Sequence, residues 1–224
     1  MFGSMKKITL LGAVWAGALV AIGVLAGCSP QGIPGNGHIT FQPRYITDFT
    51  RLEVEGAFTV HWTNSIAACS VAADDNLLEH ILTVQDGDTL RIYTDESIQP
   101  SDGIKIELNS SGLQSVSLAG ACSVTAASVT GLAGEVRVTG ASVFNASGTV
   151  SNLNVRLTGA STLYAADLKA KTVDITMIGS SSATVVAGEL LKASLSGACS
   201  LLYAGNPATI EQSVSGASTI HHIK

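Results

Sequence analysis

A short phrase built around a glycine recurs six times in the second half of this 224-residue chain. The copies read SLAGACSVTA, VRVTGASVFNA, VRLTGASTLYA, TMIGSSSATV, SLSGACSLLYA and SVSGASTIHH. Their anchor glycines are spaced 20, 19, 20, 18 and 19 residues apart, at Gly120, Gly140, Gly159, Gly179, Gly197 and Gly216. A period near 19 predicts a solenoid, in which each coil buries its apolar face by stacking on its neighbours.

Apolar and small residues stand at even distances from each anchor glycine, and polar residues stand mostly at odd distances. Side chains alternate between the two faces of a strand, so the even positions are predicted to point inward. Two residues before each glycine stand Leu118, Val138, Leu157, Met177, Leu195 and Val214. Two residues after it stand Cys122, Ser142, Ser161, Ser181, Cys199 and Ser218. A third apolar column is predicted further upstream, at Leu113, Leu132, Leu153, Val173, Leu190 and Ile210.

These columns predict an all-β fold, a right-handed single-stranded parallel β-helix with three-sided coils of about 19 residues. The six anchor glycines are predicted to be structural corners, because glycine bends freely in φ. The Ser/Cys column after each corner is interpreted as structural, with hydroxyls bonded to the adjacent coil. The alternative is a serine ladder that binds a ligand.

The N-terminus carries the features of a secretory signal. Lys6 and Lys7 precede an apolar stretch at residues 8–24, which closes on Leu-Ala-Gly-Cys at residues 25–28. This pattern is typical of a signal peptide, predicted over residues 1–27. Its ending resembles the bacterial lipobox, which implies that Cys28 becomes an acylated N-terminus. Ser29 follows, and by the same resemblance it favours the outer membrane. Residues 28–37 are rich in glycine and proline and predict a flexible tether.

Removal of the signal leaves ten basic and seventeen acidic residues, a formal charge of −7. Neither half of the chain clusters Lys and Arg, which excludes nucleic acid as an expected partner.

Cys122 and Cys199 lie four coils apart, about 19 Å at 4.8 Å per strand, too far for a disulfide. We therefore expect Cys69, Cys122 and Cys199 to be free, buried thiols.

Residues 38–110 are predicted to be a β-rich N-terminal part that precedes the coils of residues 111–224. Residues 52–62 alternate apolar and polar, and they contain Glu-Gly-Ala, a diverged first copy of the repeat. Residues 81–93 predict a hairpin around Asp86 and Gly87. Residues 74–80 are the one short helix candidate, with Asp74 or Asp75 as its cap.

Several of these motifs resemble those of a known protein family. The runs at residues 49–60, 74–78 and 86–92, and the later Gly-Ala-Ser copies, are similar to the putative auto-transporter adhesin head, GIN-domain family. The resemblance covers residues 45–220. It implies a secreted, lipid-anchored β-helical protein, and it supplies no catalytic residues.

Each set of candidate metal-binding or sugar-binding residues also has a simpler structural interpretation. His221 and His222 could bind a metal, but adjacent residues on a strand point to opposite faces. Asp86 and Asp88 lack the further ligands of a calcium loop and favour a turn. His61 and Trp62 could form a sugar-binding surface, or simply belong to a strand. No catalytic triad, phosphate loop, cofactor or metal site is expected.

The sequence therefore predicts a non-enzymatic, lipid-anchored protein of the bacterial envelope, with a rigid surface for adhesion or binding. Its expected partners are the membrane, through the anchor, and glycans or envelope proteins. One alternative is a polysaccharide-active enzyme, although the acidic residues of the coils are scattered at Glu135, Asp167, Asp174, Glu189 and Glu211. The other alternative is a role in assembly, through pairing of an open edge of the solenoid with another chain. The sequence does not determine the oligomeric state.

Overall fold

A computed structural model describes residues 32–223, which are almost entirely strand. The one helical element among them is a 3₁₀ helix, Asp75–His80. The strands are β1 Ile33–Pro34, β2 Ile39–Arg44, β3 Arg51–Gly56, β4 Thr59–Asn64, β5 Ala68–Asp74, β6 Ile81–Asp86, β7 Thr89–Thr94, β8 Ile98–Gln99, β9 Lys105–Ser110, β10 Ser115–Gly120, β11 Ser123–Gly140, β12 Val143–Gly159, β13 Thr162–Gly179, β14 Ser182–Gly197, β15 Ser200–Ala204, β16 Thr209–Gly216 and β17 Thr219–His222. The predicted signal peptide, Cys28 and the first residues of the tether lie outside this range.

The repeats stack as the coils of a parallel β-solenoid of about five turns, which confirms the predicted fold class. The strands that end in an anchor glycine form one sheet, in the order β3, β10, then the C-terminal halves of β11 to β14, then β16, and β7 extends this sheet beside β3. Gly120 pairs with Gly140 on one side and with Gly56 on the other. Gly56 is therefore the anchor of a first copy, as the Glu-Gly-Ala sequence predicts.

Each anchor glycine leads into a corner after which a second parallel sheet begins. This sheet runs from β9 through β4 and the N-terminal halves of β11 to β14 to β15 and β17. The corners themselves are hydrogen-bonded from coil to coil; for example, the N–H of Ala141 donates to the carbonyl of Gly120 at 2.8 Å. The stacking therefore continues around the bend, and neighbouring coils remain in register.

The interior columns are buried along the coils, as predicted from parity. Phe58, Val124 and Phe144 share one continuous core with Leu118 and Met177. Two details of the third column differ from the prediction. The register places Leu191, not Leu190, opposite Val173, and Gly134 opposite Leu153. The spacing between anchor glycines varies, so counting along the sequence misplaces the residue furthest from the anchor.

Gly134 leaves a small interior cavity where its neighbours carry larger side chains. The cavity has a volume of about 20 Å³. It is lined mainly by apolar residues, including Val129, Phe144, Val150 and Leu153. The core therefore contains one underfilled position, created by a glycine at an inward-facing place.

At its N-terminal end the solenoid is covered by antiparallel strands. Strand β6 pairs with β7 as a hairpin through Gly87 and Asp88, and β5 pairs with both β9 and β2. We call β1, β2, β5, β6, β8 and the 3₁₀ helix the N-terminal cap. The predicted hairpin is confirmed, whereas the predicted helix is a 3₁₀ helix. Asp74 precedes that helix without a side-chain capping bond, so the capping role predicted for Asp74 is wrong.

Part of the predicted flexible tether is fixed to the cap. Strand β1 pairs in parallel with β8, and the N–H groups of Ile33 and Gly35 donate to the carbonyls of Ser97 and Gln99 at 2.9 and 2.8 Å. Residues 32–37 are therefore not free, because backbone pairing holds them; residues 28–31 lie outside the description. The rest of the predicted domain boundaries stays a prediction.

The last coil is the most open part of the solenoid. Ile210 and Val214 stand in inward columns but are 45% and 46% exposed, because no further described coil covers them. Among residues 32–223 no helix has the length and apolar character needed to cross a membrane.

Candidate ligand-binding groove

A groove runs along the outer face of β10, between the longer side chains of the two neighbouring strands. Its floor is formed by Ser115, Ser117 and Ala119, which are small and point away from the core because they alternate with the buried Val116 and Leu118. Strand β10 is flanked by β3 and β11, each in register with it. A strand of small residues between two strands of long ones necessarily forms a trough.

The walls of the groove carry charges in alternating order. Arg51 and Glu135 flank Ser115 on opposite sides, and Glu53 and Arg137 flank Ser117. Strands lie about 4.8 Å apart, so the two walls are separated by roughly 10 Å. These two cross-strand rows each present a guanidinium on one side and a carboxylate on the other, in opposite order, whereas Ala119 lies between Glu55 and Thr139.

Ion pairs hold these side chains in place. Arg137 Nη2 lies 2.5 Å from Glu135 Oε1, and Arg91 Nε lies 3.0 Å from Glu53 Oε2. The Arg91 guanidinium also lies 5.7 Å from the centre of the Tyr93 ring. All of these charged groups are about half exposed, so the pairs contribute little to stability and remain available to a ligand.

Two hollows lie on this outer face, and Glu53 lines both of them. The larger has a volume of about 370 Å³ and is lined by Arg51, Glu53, Gln114, Ser115, Glu135 and Arg137. The smaller has a volume of about 90 Å³ and is lined by Glu53, Val54, Glu55, Arg91, Ile92, Tyr93, Ser117 and Ala119. Together they offer three guanidinium groups, three glutamates and one aromatic ring. Balanced donors and acceptors of this kind suit a neutral ligand with many hydroxyl groups rather than a polyanion.

The register also places three acidic residues of different coils in one row of the outer face. Glu135, Asp174 and Glu211 lie in one row of the outer face, separated by Asn154 and Lys192. Asp167 and Glu189 lie outside this row. Successive carboxylates in this row are two strands apart, about 10 Å, so the acidic residues of the coils align without forming a cluster.

The predicted corner glycines each end a strand with a positive φ, between 74° and 111°. The Ser/Cys column behind them lies inside the molecule. Ser161 and Ser181 donate to the carbonyls of Gly140 and Gly159 at 3.3 and 3.1 Å. These hydroxyls bond to the preceding coil, so they are not presented to a ligand.

Three cysteines within residues 32–223 are buried and free of disulfides, as expected: Cys69, Cys122 and Cys199. Burial raises the pKa of the Cys69 thiol to about 11, against a weak opposing effect of Arg44. Burial also raises the pKa of Cys122. Both thiols are therefore protonated at neutral pH and unsuited to nucleophilic chemistry.

The aromatic candidate of the sequence is not a sugar-binding surface. Trp62 is buried, and its Nε1 donates to Ser110 Oγ at 2.9 Å, while His61 points outward from the same strand. A strand that alternates faces cannot expose both residues. Tyr93, which the sequence did not single out, is the aromatic residue beside the groove.

The remaining candidates are held by structural contacts. His222 stacks on Tyr203, with ring centres 4.9 Å apart, and its Nε2 lies 2.8 Å from the Gly205 carbonyl oxygen. Asp86 and Asp88 flank the hairpin turn, and Asp88 lies 3.7 Å from Arg51. No group of three or more metal-binding side chains occurs within the described part of the chain.

The sequence did not indicate the groove, because β3, which forms one wall, is separated from the floor strand β10 by β4 to β9. A signal was nevertheless present. The copy at Gly120 has Ser, Ser and Ala at its outward positions, whereas the copy at Gly140 has Glu, Arg and Thr. Comparing outward positions between successive copies would have found a strand of small residues beside a strand of long ones.

Comparisons with known proteins agree with the architecture. The family model described as "Putative auto-transporter adhesin, head GIN domain" matches residues 48–207. A comparison with curated proteins returns no match.

Solved structures share the fold at low sequence identity. A putative adhesin from Bacteroides fragilis is 21% identical, with a TM-score of 0.73 over 86% of this chain and 100% of the other. A putative lipid binding protein from Parabacteroides distasonis is 22% identical, with a TM-score of 0.50 over 87% and 100%. A putative adhesin from Parabacteroides merdae is 16% identical, with a TM-score of 0.50 over 86% and 99%.

Proposed function

Because this chain belongs to the family of the putative auto-transporter adhesin head, GIN domain, we propose that it is a non-enzymatic binding protein of the bacterial envelope. Acylation at Cys28 anchors it to the outer membrane, and the solenoid presents the β10 groove to a glycan. The observation that carries this proposal is the groove itself, a trough about 10 Å wide with alternating guanidinium and carboxylate groups.

The chemistry of the groove supports a carbohydrate ligand. Neighbouring hydroxyls of a sugar can donate to a glutamate and accept from an arginine at the same time, and Glu53 and Arg137 stand on opposite sides of Ser117. Tyr93 lines the smaller hollow together with Glu53 and offers an aromatic ring there. The solenoid keeps these groups rigid, which reduces the entropy lost on binding.

The test of the groove is glycan binding by the mature protein and two groove variants. After an array identifies a ligand, calorimetry measures its affinity for wild type, Glu53→Gln and Arg137→Gln. Loss of one charged hydrogen bond weakens binding by about tenfold or more. Arg156→Gln is the matched control, because Arg156 pairs with Arg137 on the next coil but lies outside the groove. Equal affinities for the two groove variants and wild type would contradict the proposal.

The anchor and the absence of catalysis have their own tests. The intact mass of the protein isolated from membranes should exceed that of residues 28–224 by the mass of the acyl groups, and Cys28→Ser should abolish the increase. Incubation of the purified protein with the bound glycan should release no product. Turnover that is lost in Glu135→Gln would favour the polysaccharide-active alternative instead.

A second candidate role, assembly through the last coil, is favoured by the exposure of Ile210 and Val214. Strands β16 and β17 also offer backbone groups at the edge of their sheets. Light scattering of the detergent-solubilised protein tests it, since a strict monomer at high concentration contradicts assembly.

A further inference from the structure

The N-terminal cap carries an exposed apolar stripe on its outermost strand. Ile39, Phe41 and Tyr45 are 40%, 75% and 105% exposed, and Ile39 and Phe41 lie two residues apart on one face of β2. Ile66 is 87% exposed and lies shortly before β5, whose start pairs with the end of β2 at Cys69 and Arg44. Large apolar side chains clustered at one end of a protein mark an interaction surface.

Only a short stretch of chain separates this stripe from the proposed lipid. Residues 32–37 are fixed to the cap through β1, and Gly37 N donates to Asp74 Oδ1 at 2.7 Å. Gly32 follows Cys28 by four positions in the sequence, and four residues span at most about 14 Å. An acyl chain on Cys28 therefore holds the cap at the bilayer surface, and the solenoid cannot stand clear on a long tether.

We propose that the apolar stripe of Ile39, Phe41 and Tyr45 docks into the headgroup region of the bilayer that carries the acylated Cys28. This inference rests on the lipid anchor of the proposed function. Tyr45 suits the membrane–water interface, where its apolar ring and its polar hydroxyl are both satisfied, and Ile39 and Phe41 gain from burial of apolar surface there. Docking orients the molecule, so that the cap faces the membrane and the later coils point away from it.

The composition of β2 argues against a second protein chain as the occupant. Pro43 lies within β2 and has no N–H to donate, which hinders pairing of another strand along this edge. The part of the chain between residues 28 and 110 holds twelve acidic and four basic residues. The bilayer that suits this surface is therefore zwitterionic rather than strongly anionic.

The mature chain allows a clean fluorescence test, because Trp62 is its one tryptophan and is buried. Phe41→Trp places a reporter in the stripe. The acylated full-length mature protein is reconstituted into vesicles of phosphatidylethanolamine and phosphatidylcholine, with and without brominated acyl chains. Tyr164→Trp is the control: Tyr164 is 55% exposed on β13, which lies six strands from β2, about 29 Å along the sheet.

The expected result for Phe41→Trp is a blue shift of the reporter emission on reconstitution and loss of that emission in brominated vesicles. The reporter of Tyr164→Trp should show neither change. Adding Ile39→Ser and Tyr45→Ser to Phe41→Trp should reduce the quenching while the protein stays in the vesicles through its anchor.

Three results would overturn the inference. The first is a Phe41→Trp protein that carries its acyl groups but whose reporter emission does not change with brominated lipid. In that case the anchor stands and the docking of the stripe does not. The second is a reporter emission in Phe41→Trp that is already blue-shifted in detergent and unquenched in vesicles, which would mean that the chain itself or a second copy covers the stripe. The third is the absence of acyl mass on Cys28, which removes the anchor and the docking together.

Discussion

The backbone N–H of Cys122 donates a hydrogen bond to Ser142 Oγ over 3.0 Å, from one coil of the solenoid to the next. Ser142 in turn donates to the carbonyl of Gly120, also at 3.0 Å. The same arrangement links Cys199 N to Ser218 Oγ at 3.1 Å, and Ser218 to Gly197 O at 3.2 Å. A single hydroxyl thus satisfies two backbone groups of the preceding corner, which explains why this column is small and polar.

Replacing this hydroxyl should destabilise the solenoid. In Ser142→Ala the buried N–H of Cys122 loses its partner, at a cost of about 1–3 kcal/mol. Equilibrium unfolding in urea measures the change in the free energy of unfolding. Ser194→Ala, on the exposed outer face of β14, should change it by less than about 0.5 kcal/mol. Equal effects of the two substitutions would contradict the role assigned to Ser142.

The corner glycines should not accept a side chain. Gly140 has a φ of +100°, and a Cβ added there would overlap the carbonyl oxygen of Gly120. Gly140→Ala is therefore expected to lower the free energy of unfolding by about 1–3 kcal/mol, from backbone strain and displacement of the neighbouring coil. Thermal unfolding followed by circular dichroism would detect the loss, and an unchanged melting temperature would refute the strained corner.

Substitution of Gly134, in the same coil, should change the free energy of unfolding in the opposite direction. A Cβ added at Gly134 would meet Leu153 Cδ1 at 3.5 Å and Val150 Cγ1 at 3.7 Å, which are ordinary contacts beside the interior cavity. Gly134→Ala should therefore raise the free energy of unfolding by about 0.4–1 kcal/mol, because it restricts the unfolded chain and fills space. A lower melting temperature would show that the cavity is not free to accept a methyl group.

The buried carboxylate of Asp74 should make attachment of residues 32–37 sensitive to acid. Its side chain accepts hydrogen bonds from Ser101 Oγ at 2.7 Å, Ser101 N at 2.9 Å and Gly37 N at 2.7 Å. These bonds, the Ser101 hydroxyl foremost, hold the pKa of Asp74 below its ordinary value of 3.8. The stabilisation is therefore present above pH 3.8 and is lost as the pH falls through the lower folded pKa.

Asp74→Asn should weaken the acid dependence of stability and release residues 32–37. Hydrogen exchange at Gly35 and Gly37 measures that release at neutral pH. Asp102→Asn is the control, because Asp102 is largely exposed and its ion pair is with Lys105 at 3.0 Å, not with residues 32–37. If exchange rises equally in both variants, the attachment does not depend on Asp74.

The period and the parity of the repeat are enough to predict the solenoid, because they record a physical requirement that every coil repeats. Each coil buries the same positions and turns at the same glycine, so the pattern appears in the one-dimensional order. The buried columns at Leu118 and Leu157, the first copy at Gly56 and the free thiols of Cys122 and Cys199 all follow from that order.

The cross-strand partners of each residue, and the parts of the chain that cover the coils, are set by the tertiary structure. The groove joins Arg51 and Glu53 to Glu135 and Arg137 across β10, because β3 lies next to β10 in the stack although β4 to β9 separate them in the sequence. The register of the stack likewise places Leu191, not Leu190, opposite Val173, and it pairs β1 with β8. Parity predicts the face on which a residue lies, but cross-strand partners are set by the register of the whole stack.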